Sequence, residues 1–373
     1  MPPVCLYFQV HQPWRLRPYN YFQVGRDHRY FDETRNAALL RRVAEKCYRP
    51  ATAMFLELLG AHSGFSAAFS ISGTLLQQLR AFAPDALESF RGLVATGRVE
   101  LLAETSHHSL AFLASPEEFR EQVALHRRLV AVELGADPRV FRNTELIYSD
   151  GLAAAAEEMG FSGVLADGVE ELLGGRSPHH LYRAATPGGL SLLLRDYRLS
   201  DDIAFRFSNR AWTEYPLSPA RYARWVAGVP GELVCLFMDL ETFGEHHARE
   251  TGIFESFADG SRRTSLPAAN SSRRPKRSGA FRCATCSPRV APFPGPTRRG
   301  TSRPGRATTS SAMPCAASTR SNRRSGRPDP PSSSRTSAVF PRRITSITWR
   351  PKRPRTATST PTSPRTTPRT TPT

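Results

Sequence analysis

Near Glu255 the chain changes composition, and the change limits where a core can form. Residues 256–373 hold 25 of the 51 Lys and Arg but only 2 of the 33 Asp and Glu. That stretch therefore carries +23 (25 − 2) and the first 255 residues −5 (26 − 31), which together give the net +18. Arg, Pro, Ser and Thr dominate the later stretch, which runs out in Thr366-Thr367-Pro368-Arg369-Thr370-Thr371-Pro372-Thr373. Such a composition buries too little apolar surface to offset the entropy of ordering it, and it predicts a disordered basic tail over 256–373. The remaining 1–255 is one large globular domain of the length typical of an α/β barrel.

Within 1–255, short apolar runs alternate with amphipathic stretches. Val4–Val10 and Phe65–Ile71 read as buried strands. Thr74–Phe82 and Asp85–Ala95 read as helices, with Pro84 in the first turn of the latter and Gly97 closing it. Arg98–Glu104 follows as a strand. Ser115 caps a helix that runs to about Leu134 and stops at Gly135. Val140–Asn143, Gly163–Ala166, Leu190–Arg195 and Leu233–Asp239 are further strands. Gly151–Met159 and Pro219–Val226 are helices between them. Strand–helix alternation with continuously apolar strands predicts a mainly parallel sheet covered by helices, and about seven strands suit a closed or nearly closed barrel.

Several strands end in ionisable groups. The first delivers His11-Gln12-Pro13, and Arg98–Leu102 delivers Glu104 and His107-His108. Val140–Arg142 delivers Asn143-Thr144-Glu145, and the last delivers Asp239, Glu241 and Glu245-His246-His247. In a barrel those ends converge on one mouth. A single carboxylate after a strand can simply cap the next helix, and a lone imidazole can sit in solvent. Four strands ending this way point instead to a site. Paired carboxylates suit glycoside hydrolysis, one attacking the anomeric carbon and the other protonating the leaving oxygen. Zinc held by His11, His107, His108 and His246 is the competing chemistry, without any His-x-x-x-His pair behind it.

The six cysteines divide evenly, with Cys5, Cys47 and Cys235 in the first part and Cys283, Cys286 and Cys315 in the second. They form no disulfide framework, and Cys283-x-x-Cys286 lacks the second pair a zinc site needs. No charged leader precedes the first strand and no apolar run approaches 18 residues, so the expected compartment is the cytoplasm, with no membrane partner.

At these motifs the chain resembles glycoside hydrolase family 57, in its α-amylase-like branch. His11-Gln12-Pro13 is similar to the first family signature, and Gly97-Arg98-Val99-Glu100-Leu101-Leu102 to the second. Phe141-Arg142-Asn143-Thr144-Glu145-Leu146-Ile147-Tyr148 is similar to the third, and Phe237-Met238-Asp239-Leu240-Glu241-Thr242-Phe243-Gly244-Glu245-His246 to the fourth. The resemblance implies an incomplete (β/α)7 barrel, Glu145 as nucleophile and Asp239 as general acid/base. It implies that His11, Gln12, Glu100, Glu241 and His246 bind substrate, with Glu241 on the same strand face as Asp239 and tuning it. The implied partner is an α-glucan oligosaccharide or polysaccharide such as starch, glycogen or maltodextrin, cleaved at α-1,4 bonds with retention. No metal or organic cofactor is expected. A 4-α-glucanotransferase or branching enzyme is the alternative within the family. A metal-dependent carbohydrate deacetylase, or a glucan- or nucleic-acid-binding protein without turnover, is the alternative outside it.

The basic tail stands where the family carries a helical region. Arg supplies nearly all its charge, as in an out-of-frame reading of a GC-rich gene, and a frame-shifted tail is the expected reading. A basic arm for nucleic acid is the rival. It has the charge but neither aromatic interleaving nor a recognisable binding fold, so a nucleic-acid partner is not expected.

Overall fold

The computed structural model describes residues 2–265. Eight strands form one sheet: β1 (Val4–Val10), β2 (Ala67–Ile71), β3 (Val99–Leu101), β4 (Val140–Arg142), β5 (Gly163–Asp167), β6 (Tyr182–Arg183), β7 (Ser191–Arg195) and β8 (Val234–Asp239). Seven run parallel in the order β3-β2-β1-β8-β7-β5-β4, and β6 is a short antiparallel appendage on β7. The sheet curls into a nearly closed barrel. At one junction, Ala103 beyond β3 leaves β2 and pairs with Phe141 of β4, through Ala103 N to Val140 O at 2.9 Å and Arg142 N to Ala103 O at 2.8 Å. At another, β7 and β8 share only the Arg195–Cys235 pair, and Ser200 Oγ accepts the Phe237 N–H at 3.1 Å. The expected strand Arg98–Glu104 is thus a three-residue strand whose continuation changes partner.

Among the described residues, ten α-helices follow the strands: α1 (Glu33–Val43), α2 (Arg49–Ala61), α3 (Gly73–Phe82), α4 (Pro84–Ala95), α5 (Pro116–Leu134), α6 (Asp150–Glu158), α7 (Glu170–Leu173), α8 (Tyr197–Ala204), α9 (Pro219–Ala227) and α10 (Ile253–Ser265). A π turn, Ala44–Tyr48, joins α1 to α2. The start of α5 follows the expected capping, since Ser115 Oγ accepts from Glu118 N at 3.2 Å. Its end follows too, because Gly135 adopts φ 65°. None of these helices is long and apolar enough to cross a membrane.

Strand residues alternate between two buried environments, which is why the strands read as continuous apolar runs. Leu6, Phe8 and Val10 of β1, with Leu236 and Met238 of β8, pack under the helices. Cys5 and Tyr7, with Cys235 and Phe237, fill the barrel interior together with Ala68, Leu102, Leu146, Leu165 and Leu193. The pairings Cys5–Cys235, Tyr7–Phe237 and Gln9–Asp239 stack three interior layers along the barrel. The first two are apolar or weakly polar and the third is polar. The chemistry therefore collects at the C-terminal mouth.

The boundary expected at Glu255 needs correction. Helix α10 continues to Ser265, and Ile253, Phe254, Phe257 and Ala258 bury one face of it in the core. The Phe257 ring lies 4.8 Å from Phe243 and 5.9 Å from Phe55. Charge counts missed this because apolar periodicity outlasts the change in composition. Farther along, Ser256, Gly260, Ser261 and Thr264 face a gap beside Leu217, Tyr222 and Val226. The rest of the expected tail, residues 266–373 with Cys283, Cys286 and Cys315, lies outside the described residues. An added Cβ at Gly260 would meet nothing within 4 Å. Gly260→Ala is therefore expected to stabilise the domain by about 1 kcal/mol, through helix propensity alone. Urea denaturation checks this, and a lowered midpoint contradicts it.

Candidate active site

Glu104 anchors the mouth from below. It is fully buried just beyond β3, where its carboxylate accepts from Ser70 Oγ at 3.0 Å and from Gln9 Nε2 at 3.4 Å. His108 Nδ1 lies 2.9 Å from its other oxygen, and Arg142 Nη1 lies 4.0 Å away. Burial works against this charge. The hydrogen bond and charge of His108, with the charge of Arg142, outweigh that cost and hold the carboxyl at about 2. Behind it, His126 of α5 donates from Nε2 to Ile71 O at 2.9 Å and accepts the Glu104 N–H on Nδ1 at 3.4 Å, which fixes its tautomer.

Glu145 is raised into the mouth by the residue after it. The turn Thr144–Leu146 follows β4, and Leu146 plugs the apolar interior at 3 % exposure while the Glu145 side chain stays 72 % exposed. Both residues adopt left-handed backbone, with φ of 56° and 54°, and His108 does so at 52°. These are the only non-glycine residues in that region among the described ones, and they meet at one place. Strain concentrated this way is a mark of functional sites. His108 Nε2 is 3.6 Å from Glu145 Oε1. That contact with His108, together with the charges of Arg142 and His108, lowers the Glu145 proton affinity against a burial penalty.

Asp239 ends β8 at the same interior layer as Gln9. Burial raises its proton affinity, and the charge on Glu145 adds to this against Arg142 and His246. The two expected catalytic carboxyls are thus pushed in opposite directions, as a nucleophile and a general acid require. Both act on the Arg142 guanidinium, which is buried at the end of β4 over the Phe237 ring, 4.9 Å from its centroid.

The other expected site residues divide. His11 stacks on His108, with ring centroids 4.3 Å apart and 29° between planes, and shares a hydrogen bond with Ser72 Oγ at 2.8 Å. Burial and the neighbouring His108 depress its proton affinity to about 4, so it is neutral at pH 7. Gln12 accepts from Arg15 Nη2 at 2.8 Å and its side chain reaches Tyr48 and Glu241. His246 is exposed. The four histidines weighed for zinc do not converge: His11 and His108 stack face to face, and exposed His107 pairs with Ser106.

Two placements differ from expectation. Glu241 does not share a strand face with Asp239, because β8 ends at Asp239 and Leu240–Thr242 turns away. It is buried under the helical layer, where Tyr48 OH donates to it at 2.6 Å. Glu100 lies low in the barrel, level with Tyr7 and Ala68. Glu104 comes four residues later, beyond the end of β3. Conversely, the linked trio of Glu104, His108 and Arg142 was not singled out as a unit. An arginine inside an apolar strand, at the parity of the interior residues, is the signal that could have found it.

Burial raises Glu241 to about 7, with Asp239 adding to it against the Tyr48 hydrogen bond. A carboxyl whose affinity is raised on folding stabilises when protonated. That contribution is full below about pH 4.5 and is lost as pH climbs through 7. Glu241→Gln keeps an acceptor for Tyr48. It is expected to flatten this decline and to exceed the parent in stability at pH 8 by about 2–3 kcal/mol. Urea unfolding at pH 5 and pH 8 measures it; an equal pH difference in both proteins contradicts it.

The model of glycosyl hydrolase family 57 matches residues 5–259. A protein of Methanocaldococcus jannaschii that bears an alpha-amylase name is 46 % identical over 251 residues, covering 66 % of this chain and 53 % of that one. An alpha-amylase of Pyrococcus horikoshii is 30 % identical over 145 residues, covering 39 % and 22 %. This chain therefore spans about half, or less, of the length of these curated relatives. Among solved structures, a 4-alpha-glucanotransferase from Thermococcus litoralis superposes with a TM-score of 0.52 at 19 % identity, over 69 % of this chain and 37 % of that one. A branching enzyme from Thermococcus kodakaraensis superposes with 0.51 at 12 % identity, over 70 % and 68 %. At such identities the superpositions speak to the fold alone.

Proposed function

This chain belongs to glycosyl hydrolase family 57, and we propose that it cleaves α-1,4-linked glucans by a retaining double displacement. One arrangement carries the reading: Glu145, exposed on the turn after β4, and Asp239, at the end of β8, stand at the barrel mouth with buried Arg142 at the end of β4, the first with lowered and the second with raised proton affinity. In the first step a Glu145 oxygen bonds to the anomeric carbon, the glycosidic C–O bond breaks, and Asp239 gives its proton to the leaving oxygen. In the second, Asp239 takes a proton from an incoming hydroxyl, whose oxygen bonds to the anomeric carbon as the ester to Glu145 breaks. Water as acceptor gives hydrolysis, and a sugar hydroxyl gives transfer. The alpha-amylase names of the curated relatives favour water.

The protonation states set a pH window. Glu145 must be ionised, so its lowered affinity carries activity down toward acid pH. Asp239 must be protonated, so its raised affinity carries activity up toward neutral pH. The reading is tested by incubating the protein with maltoheptaose and resolving the products by anomeric configuration and chain length. Shorter maltooligosaccharides released first as the α-anomer are expected. Products longer than the substrate would select transfer, and release of the β-anomer would refute retention.

A further inference from the structure

His108 is held more elaborately than a two-carboxylate mechanism requires. It sits on the turn after Glu104 with left-handed backbone, φ 52°. One ring edge points Nδ1 at the fully buried Glu104, 2.9 Å away, and the other points Nε2 at Glu145, 3.6 Å away. A neutral imidazole satisfies one of these and turns a lone pair toward the other carboxylate. Both are satisfied only when both nitrogens carry protons. Gln9 Nε2, 3.4 Å from Nδ1, competes with nothing, because it also reaches Glu104 Oε1 at 3.4 Å. The ring face is closed by His11 at 4.3 Å, itself tied to Ser72.

Resting on the assignment of Glu145 as nucleophile, we infer that His108 is a positioning residue. As an imidazolium clamped by Glu104, it keeps Glu145 ionised and aimed for attack, and it stabilises the negative charge that returns to Glu145 when the glycosyl ester breaks. The charges around it support this. The groups facing His108 are Glu104 beyond β3, Glu145 and Arg142 from β4, Asp239 at the end of β8 and neutral His11 at the end of β1. Before attack, Glu104 and Glu145 are negative, Arg142 and His108 positive, and Asp239 protonated, a balance of zero. After attack the ester has removed the charge of Glu145, and Asp239 has become negative by protonating the leaving oxygen. The balance is again zero. One negative charge moves from Glu145 to Asp239 and back within a fixed field of two cations, which avoids building up unpaired charge in a partly desolvated mouth. Burial alone would discharge His108, but the hydrogen bond with Glu104 and the close Glu145 carboxylate outweigh it and raise its proton affinity.

The test combines kinetics with a direct titration. On maltoheptaose, His108→Gln is expected to lower kcat/KM about a hundred-fold with KM within about threefold of the parent. It should also move the acid limb of the kcat/KM profile up by about one pH unit, since Glu145 loses its cationic neighbour. Glu104→Gln should act in the same direction by releasing the proton of His108. Independently of turnover, the His108 ring resonance, assigned by its loss in His108→Gln, should titrate above the ordinary imidazole range and shift down in Glu145→Gln. An unchanged acid limb in His108→Gln, or a His108 midpoint indifferent to Glu145→Gln, overturns the inference. If the parent cleaves, Glu145→Gln is inert and His108→Gln matches the parent, only the role of His108 falls. If Glu145→Gln still cleaves, the nucleophile assignment falls instead.

Discussion

Glu145→Gln is expected to lower turnover of maltoheptaose by on the order of 10⁴-fold or more, with a melting transition close to that of the parent. Glutamine has the same shape but cannot form the glycosyl ester, so it removes the covalent step rather than a binding contact. Folding should be insensitive, because the side chain is largely exposed and the apolar plug at this turn is Leu146. Asp239→Asn should behave differently. With α-maltosyl fluoride, whose leaving group needs no proton, its first step should survive while the second stays slow, so a burst of fluoride is expected. Turnover retained at a few per cent or more in Glu145→Gln would remove Glu145 as the nucleophile, whatever the family membership.

Gly244→Ala is expected to destabilise the domain by about 3 kcal/mol or more and to lower activity with it. The residue has φ +102°, and an added Cβ would lie 2.0 Å from Lys46 O and 2.8 Å from Lys46 C. Those are backbone atoms of the π turn between α1 and α2, which cannot swing aside as a side-chain tip could. Next to this close approach, Cys47 Sγ meets Leu240 O at 3.2 Å and Tyr48 OH donates to Glu241 at 2.6 Å. The segment that follows Asp239 is therefore fastened to the π turn at three consecutive points. Pushing Gly244 away disturbs the backbone that aims the proposed acid. Here the π turn serves the site, as such irregular turns often do. Urea denaturation with parallel kinetics measures the effect; a variant within about 1 kcal/mol of the parent would show that the loop can relax.

Local signals were reliable where a residue's neighbours in the chain decide its state. The limits of α5 could be read because Ser115 and Gly135 act on the backbone beside them. β1 spans Val4–Val10 as expected, because a strand buried on both faces is apolar along nearly its whole length, here broken only by Gln9. Helices α1, α2, α7 and α8 are not legible in the sequence pattern. The π turn adds a residue to the helical repeat between the first two, so their apolar faces do not continue in phase. The basic composition beyond Glu255 hid the last turns of α10 for a related reason: charge was counted where the position of apolar residues mattered.

The sequence by itself determined the alternation of strands and helices, the barrel it builds and the strand-end carboxylates, because these depend on side-chain period and on residues adjacent in the chain. Only the tertiary structure decided that Glu100 sits deep and Glu241 sits behind the wall, that Ala103 carries the chain across to β4, and that His108 bridges Glu104 and Glu145. Those outcomes depend on strand register and on where a strand stops. A shift of one residue in either reverses the direction of a side chain, and both are set by packing among segments separated by tens to hundreds of residues.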